Sequence, residues 1–492
     1  MTDESLKEEI LINVTPSEVR AALLENGVLQ EVHVERTARR GLISNIYKGR
    51  VLRVLPGMQA AFIDIGLERT AFLHASDIAR PDGADDGDEL PSIRDLAREG
   101  DEIMVQVVKD PLGNKGARLT TYITLPSRHI VLLPRSQTVG VSSRIEDDEE
   151  RERLRNIVEE LMAESGLDHG AIVRTVAEGA DRESIAADLR YTLKLWDVVR
   201  ERCATSGVRT LVHEDLSLPL RVLRDMVTAG VESILVDSAR EYAAMREFAE
   251  TFLSANRPSI ELYKRRRPIF DLHGIEDEIH KALERSIPLK SGGYLIFDQT
   301  EALTTIDVNT GGYVGHRNLE ETIYRTNLEA AVAIGRQLRL RNIGGIIIID
   351  FIDMEEEDHR SNVLAVLEQA LARDHARHQI SGVSLLGLVE MTRKRTRESL
   401  QHVLCEECPS CNGRGFVMTA ETVCFEIFRE IIRQARQFEF EEILVLASQD
   451  VVELLLDEQA RSLAEIEGQI GRPVRLQTES LYLQDQFDVV LM

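Results

Sequence analysis

Five cysteines in 492 residues are too few for a disulfide framework. That scarcity points to a reducing compartment, the cytoplasm. No run approaches the roughly 20 apolar residues that a membrane-spanning helix needs. The first ten residues, MTDESLKEEI, are acidic and lack the cationic-then-apolar order of a secretory leader. No G-x-x-x-x-G-K-[ST] phosphate loop is present, which argues against ATP or GTP hydrolysis. Positive charge is scarce as well: 59 Lys and Arg stand against 84 Asp and Glu, for a formal net charge of −25. Spread evenly, that excess would repel nucleic acid. The cations are not spread evenly. They gather in Tyr263-Lys-Arg-Arg-Arg-Pro268 and Thr392-Arg-Lys-Arg-Thr-Arg397, while acid concentrates in Asp82 to Glu89, Glu146 to Glu152 and the last third. A polarised acidic protein still offers a basic groove, because local potential steers a ligand more than the total does. The rest of the composition, 43% hydrophobic and 29% charged, is that of a globular protein long enough for about three domains or more.

Two stretches organise the chain: Leu303-Thr-Thr-Ile-Asp-Val-Asn-Thr-Gly-Gly312 and Gly344-Gly-Ile-Ile-Ile-Ile-Asp-Phe-Ile-Asp353. Each is an apolar, β-branched run that ends in a carboxylate. Ile346 to Ile349 reads as a buried strand, and Thr304 to Val308 as a second. Asp307 and Asn309 are two apart and share a face. Between the strands, residues 318–341 carry apolar side chains at helical spacing (Leu319, Ile323, Val332, Leu338). Strand, helix, strand predicts a crossover with parallel strands, bringing Asp307 and Asp350 to one sheet edge. Two carboxylates and an amide oxygen suit a hard divalent cation such as Mg²⁺. The bland alternative is that each Asp caps the turn after its strand.

In chain order, residues 9–36 read strand (Ile10 to Val14), helix (Glu18 to Glu25, capped by Ser17) and strand (Leu29 to Val34), a unit that needs later sequence to complete its sheet. Residues 38–122 carry five short strands with glycine turns, the pattern of a small Greek-key barrel. Phe62 and Phe72 are candidates to stack on bases, and Lys115 to meet phosphate; the opposing reading puts both rings in the core. In residues 123–213, a strand at Ile130 to Leu133 precedes an acidic helix, Asp147 to Ser165, and a second helix covers about Glu183 to Cys203. Val173-Arg174-Thr175 sets an Arg fork beside a hydroxyl, the makings of a phosphate cradle. Residues 214–285 alternate helices and strands, with a helix opening at Asp271. Lys394, Arg395 and Arg397 are candidates to hold an RNA backbone.

His402, Cys405, Cys408 and Cys411 crowd one segment. Cys408-Pro-Ser-Cys411 has zinc-knuckle spacing. Structural zinc wants four ligands, so either one chain closes the site with Cys405 or His402, or two chains each give Cys408 and Cys411. The alternatives are a redox dithiol or a chaperone-type zinc-finger repeat (C-x-x-C-x-G-x-G), which needs several repeats where the sequence has one. Cys203 and Cys424 read as buried thiols in apolar helices. Residues 417–492 form a small α/β unit, with helices from Val423 to Arg436 and from Asp450 to Glu465.

The order TTIDVNTG…GGIIIIDFIDM, with the barrel, the Arg-Thr pair and the C-P-S-C knuckle in their places, resembles the RNase E/G family of single-strand-specific endoribonucleases. The resemblance runs from residue 9 to near the C-terminus. It implies a multidomain α/β protein: a split RNase H-like subdomain (1–37 and 214–285), an inserted S1-like OB barrel (38–122), a 5′-sensor subdomain (123–213), a DNase I-like catalytic subdomain (286–403), a zinc-link (404–416) and a small dimer-supporting domain (417–492). It implies Mg²⁺-dependent hydrolysis of single-stranded, A/U-rich RNA in rRNA processing and mRNA decay. Asp307 and Asp350 would hold the metal, and Asn309 would orient the attacking water or scissile phosphate. Arg174 and Thr175, helped by Arg144, would sense a 5′-monophosphate. Cys408 and Cys411, with Cys405 open, would hold Zn²⁺ between protomers of a homodimer or a dimer of dimers. A long Arg- and Pro-rich C-terminal tail is absent from the sequence. The rival from another class is a non-catalytic RNA-binding scaffold dimerised by zinc.

Overall fold

The computed structural model describes residues 7–79, 91–111, 116–134, 136–166, 169–228, 230–252, 258–300, 302–311, 319–374, 376–384, 386–395 and 397–492. Lys115 and the acidic run Asp82 to Glu89 lie outside them. The chain divides into two compact units, Met1–Val403 and Leu404–Met492.

The first unit is built on four sheets. One joins Glu8–Val14, Glu18–Glu25 and Val28–Arg36 to the later strands Val231–Val236 and Ser259–Leu262, with Glu8–Val14 parallel to Val231–Val236. The early segment thus completes its sheet with later sequence. The helix expected over Glu18–Glu25 is instead a strand. Two signals explain the correction. Asn26 and Gly27 both have positive φ, 50° and 76°, which is the two-residue turn of a tight hairpin. Ala21, Ala22, Leu23 and Leu24 are all buried, as in a strand covered on both faces rather than a helix with one apolar stripe. One cover is formed by Leu218–Asp225 and Ala239–Phe252. On the other side lies the helix Leu319–Leu340, whose Arg336 donates from Nε to the Leu29 carbonyl at 2.9 Å.

Between the halves of that sheet sits a barrel of Ile46–Leu55, Ala60–Asp64, Ala71–His74, Glu102–Lys109 and Arg118–Thr120. Ile46–Leu55 pairs with both Ala60–Asp64 and Glu102–Lys109, which closes the ring and is consistent with an OB fold. The strands Leu125–Pro126, Ile130–Leu133, Val139–Val141 and Gly170–Val173 form the third sheet. It is covered by the helices Asp148–Ser165 and Arg182–Thr205.

The fourth sheet runs Ser286–Pro288, Tyr294–Gln299, Leu303–Asn309, Gly345–Asp350, Leu388–Arg393, His378–Val383. Its alternation is clean. Leu295, Phe297, Ile306, Val308, Ile347, Ile349, Val389 and Met391 pack on Leu319–Leu340 and on the helix Glu357–Leu371. Thr305, Asp307, Ile346, Asp350 and Glu390 face the other way and are exposed. The expected helix from Asp271 comes in two pieces, Ile269–Leu272 and Ile275–Leu283, divided at Gly274 with φ 67°.

The arginines of Thr392 to Arg397 have partners within the fold. Arg393 is buried and chelates Asp374 at 2.6 and 2.9 Å. Arg395 donates from Nε to the Gly344 carbonyl at 2.9 Å. Arg397 meets the ring of His33 at 2.9 Å. Arg393 and Arg397 tie the fourth sheet to its surroundings, while Lys394 and Arg395 keep exposed side chains. The partners of these arginines are remote in sequence, which hid the role. Arg339 adds to the same seam, pairing with Glu25 and Glu31 at 2.9 and 3.1 Å.

In the second unit, Ile443–Ala447 lies between Val474–Thr478 and Phe487–Leu491. The helix Ala420–Gln437 covers it. The single helix expected over Asp450 to Glu465 is two, Gln449–Leu456 and Ala460–Ile470, broken at Asp457. The apolar spacing from Leu455 to Leu463 keeps helical phase across the break and conceals it. Cys424 is buried, and burial pushes its thiol up to about 11. Cys203 in the first unit is only half-buried.

His33 gives the first unit a pH dependence. A guanidinium only donates, so the ring nitrogen facing Arg397 must accept, and the imidazole must be neutral. Burial, then the Arg397 charge, lowers its pKa to about 4. A folded pKa below the unfolded one means stability is complete above about pH 6.5 and falls as the pH drops toward 4. The unit should therefore lose about 2 kcal/mol between pH 7 and pH 5. Melting curves of the parent and of His33→Gln check this: the variant's curve should be flatter over that interval.

Candidate active site

The strands Leu303–Asn309 and Gly345–Asp350 are parallel, and in their register Asp307 stands directly opposite Asp350. Leu319–Leu340 makes the crossover between them, as the sequence predicts. Both carboxylates are exposed on the open side of the sheet. Asn309 donates from Nδ2 to Asp307 Oδ2 at 2.8 Å, which fixes both side chains. The Asp350 carboxyl is raised above the ordinary range by partial burial, then by the charges of Asp307 and Asp353. A carboxyl whose pKa is raised by neighbouring carboxylate charges sits where a cation would relieve the repulsion. Among the described residues no three His, Cys, Asp or Glu side chains converge as a ready metal cluster. Two carboxylates and an amide oxygen are a hard donor set that a divalent ion keeping part of its own water could use.

The glycines of the first motif have a steric reason. A Cβ on Gly311 would lie 2.3 Å from the Gly292 carbonyl oxygen, and one on Gly293 would lie 2.5 Å from that of Asn309. The two backbones touch where the Asp307 strand ends.

Sequence reasoning missed the residues that hold the other strand end. Asn327, on the crossover helix, is fully buried. Its Nδ2 donates to the Ile352 carbonyl at 2.8 Å, and its Oδ1 accepts from the Ile352 N–H at 3.1 Å. Nearer the start of the same helix, Glu320 accepts the N–H groups of Glu355 and Glu356 at 3.2 and 3.4 Å and meets His359 Nδ1 at 3.0 Å. The segment after Asp350, which carries Asp353, is thus held at two points by the helix that joins the strands. A polar pair, Thr326-Asn327, on the apolar face of that helix was the available signal.

The barrel brings its candidates together. Phe62 and Phe72 are directly paired across strands, ring centroids 6.3 Å apart and nearly edge to face. Both are half-buried on the outer surface, while Ala61, Ile63, Ala71 and Leu73 fill the interior. Neither Phe62 nor Phe72 belongs to the barrel's buried core. Arg53 pairs with Phe62, Arg118 with Phe72 and Lys109 with Arg118, so cations flank the rings in one cross-strand row. Those three were missed because the pairing is not local.

Arg174 and Thr175 follow the strand Gly170–Val173. Thr175 Oγ1 lies 3.0 Å from Ser142 Oγ, and the Arg144 N–H donates to that same Ser142 oxygen at 3.4 Å. Residues 142–144 and 174–175 are therefore neighbours. The Arg174 guanidinium donates to the Ser127 carbonyl and to Asp225.

In the second unit, Cys405 and Cys408 are exposed and Cys411 is half-buried. The Cys411 and Asn412 N–H groups both donate to the Cys408 carbonyl, and the Gly415 N–H lies 3.4 Å from Cys411 Sγ. Backbone N–H groups of Ser410 and Cys411 hold the Cys408 thiol below its ordinary pKa. His402 lies in the first unit, where its Nδ1 meets Ser399 Oγ at 3.1 Å.

A closed barrel with two outward-facing rings and a pair of carboxylates at one sheet edge is an arrangement that suits a nucleic-acid hydrolase. The comparisons narrow the class. The Ribonuclease E/G family model matches residues 124–396, and the model described as RNase E/G, thioredoxin-like domain, matches residues 407–490. Ribonuclease G of Escherichia coli is 55% identical over 489 residues, covering 98% of this chain and 99% of its own. Ribonuclease G of Haemophilus influenzae is 53% identical over 490 residues, with the same shares. Ribonuclease E of Escherichia coli is 36% identical over 469 residues, 94% of this chain but 44% of its own. The chain belongs to the Ribonuclease E/G family. Within it, the chain is more like ribonuclease G than ribonuclease E. It is an endoribonuclease, a hydrolase of RNA phosphodiester bonds that acts in RNA processing and degradation. The scaffold alternative gives way to an enzyme.

The buried amide clamp carries a prediction. Asn327→Leu keeps the volume but orphans the Ile352 N–H and carbonyl, at about 1–3 kcal/mol each. Stability should fall by about 2–6 kcal/mol for the two groups together. RNA cleavage should fall while RNA binding persists. Thermal melts, cleavage rates and RNA gel shifts on the one variant check all three.

Proposed function

We propose that the protein cuts single-stranded, A/U-rich RNA internally by Mg²⁺-dependent hydrolysis, in rRNA processing and mRNA decay, and that a 5′-monophosphate on the RNA stimulates it. The observation that carries the reading is the register that sets Asp307 opposite Asp350. These two residues would hold the ion. When bound, Mg²⁺ supplies an acidified water and neutralises charge on the phosphate. Asn309, fixed on Asp307, orients the attacking water or the scissile phosphate. Asn327 and Glu320 keep the Asp350 strand end in place.

Phe62 and Phe72 stack on bases, and Arg53, Lys109 and Arg118 follow the backbone, with Lys115 as a further phosphate contact. Arg174 and Thr175, with Arg144, receive the 5′-phosphate; the Ser142–Thr175 hydroxyl pair supports a cradle there. The protein works in the cytoplasm as a homodimer, or a dimer of dimers. Cys408 and Cys411 of each protomer share one Zn²⁺. The turn that aims N–H groups at the Cys408 sulfur fits half of such a site, and Cys405 is held in reserve as a ligand.

Two experiments test this. Incubation with a 5′-monophosphorylated, A/U-rich RNA should give internal cleavage with Mg²⁺ and none with EDTA. Asp307→Asn should bind the RNA and not cut it; cleavage at the parent rate would move the chemistry elsewhere. Separately, Cys408→Ser with Cys411→Ser should remove zinc and shift the sedimenting species from dimer to monomer. A zinc-free dimer would contradict the shared site.

A further inference from the structure

Arg174 is not a free cation awaiting a ligand. Its Nη1 donates to the Ser127 carbonyl at 2.6 Å and its Nη2 to Asp225 Oδ1 at 2.7 Å. The side chain is 23% exposed, so a held guanidinium still reaches solvent. An Arg presents five N–H donors in a rigid plane. Two bonds use part of that plane and leave other donors over, and the next residue, Thr175, pairs its hydroxyl with that of Ser142.

Asp225 is itself fixed. Arg224 donates to it from Nε and Nη2, at 3.1 Å to Oδ1 and 2.9 Å to Oδ2, and from Nη1 to Asp215 at 2.8 Å. The charges alternate: Asp215, Arg224, Asp225, Arg174. Arg224 is 8% exposed, too deep to lose a partner cheaply. Asp225 ends the helix Leu218–Asp225, which belongs to the split sheet rather than to the sensor. Arg128 ties the sensor to the same helix end, donating to the Leu223 and Val227 carbonyls at 3.0 and 3.2 Å.

We propose that Asp225 is a positioning residue for the 5′-end preference: from the neighbouring subdomain, it holds the Arg174 fork in the orientation that receives a terminal phosphate. This rests on the reading of Arg174 and Thr175 as the phosphate pocket. Without its acceptor, a long side chain samples several rotamers, and the bond to the Ser127 carbonyl alone does not fix the plane.

The test uses the full chain and two RNAs of one sequence, ending in 5′-monophosphate or 5′-hydroxyl. The readout is the ratio of their cleavage rates. Asp225→Asn keeps an acceptor but removes the charge that makes the bond strong, and should lower the ratio by about tenfold while leaving the hydroxyl-ended rate at the parent value. Asp215→Asn loosens Arg224 without touching Arg174 and should keep the parent ratio. Arg174→Ala sets the floor. If Arg174→Ala lowers the ratio and Asp225→Asn does not, the positioning role is overturned and the phosphate pocket stands. If Arg174→Ala keeps the parent ratio, pocket and inference fall together. A ratio that rises in Asp225→Asn would make Asp225 a competitor of the phosphate and overturn the proposal. So would equal loss on both RNAs, or loss of the ratio in Asp215→Asn, since each places the effect in the fold.

Discussion

Everything at the candidate active site depends on the parallel pairing of two strand ends. In-register pairing sets Asp307 and Asp350 side by side, where their charges oppose each other. Parallel strands need a crossover, and the helix that supplies it does more than connect. Its Asn327 and Glu320 grip the backbone beyond Asp350, so the pair cannot relax by letting one strand end swing away. Its Arg336 and Arg339 bond the split sheet. One helix thereby sets the strand direction, braces the two carboxylates and anchors their sheet to its neighbour.

The acidic balance of the chain says little about its surface. Arg339, Arg393 and Arg397 are consumed internally by Glu25, Glu31, Asp374 and His33. The barrel sets a few cations around two rings in one cross-strand row, of which Arg118 also bonds Asp77 at 2.9 and 3.0 Å. For an RNA strand, such a row matters more than the formal total, because interactions with exposed charges fade within about 10 Å at moderate salt.

Elements with a strong local signature are legible in the sequence. The Asp307 and Asp350 strands have β-branched runs, and the helix between them has clean apolar spacing. The barrel's five strands are punctuated by glycine turns. Glu18–Glu25 reads as a helix because Ser17 resembles a cap, and that resemblance masks the hairpin signal of Asn26-Gly27. The break at Asp457 is hidden by apolar residues that stay in phase across it. The uses of Asn327, Arg395 and Arg397 are not legible, since their partners lie 25, 51 and 364 residues away. The Arg53–Phe62–Phe72–Arg118 row likewise depends on strand register, which no local pattern prints. The candidate site is readable where two motifs carry it; its supports are not.

The central claim is that Asp307 and Asp350 share a divalent cation. Anomalous diffraction from crystals of the parent and of Asp307→Asn soaked in Mn²⁺ tests it most directly. The expected result is a peak between the two carboxylates in the parent and its loss in the variant. A parent with no peak there, or one that survives unchanged in the variant, would contradict it.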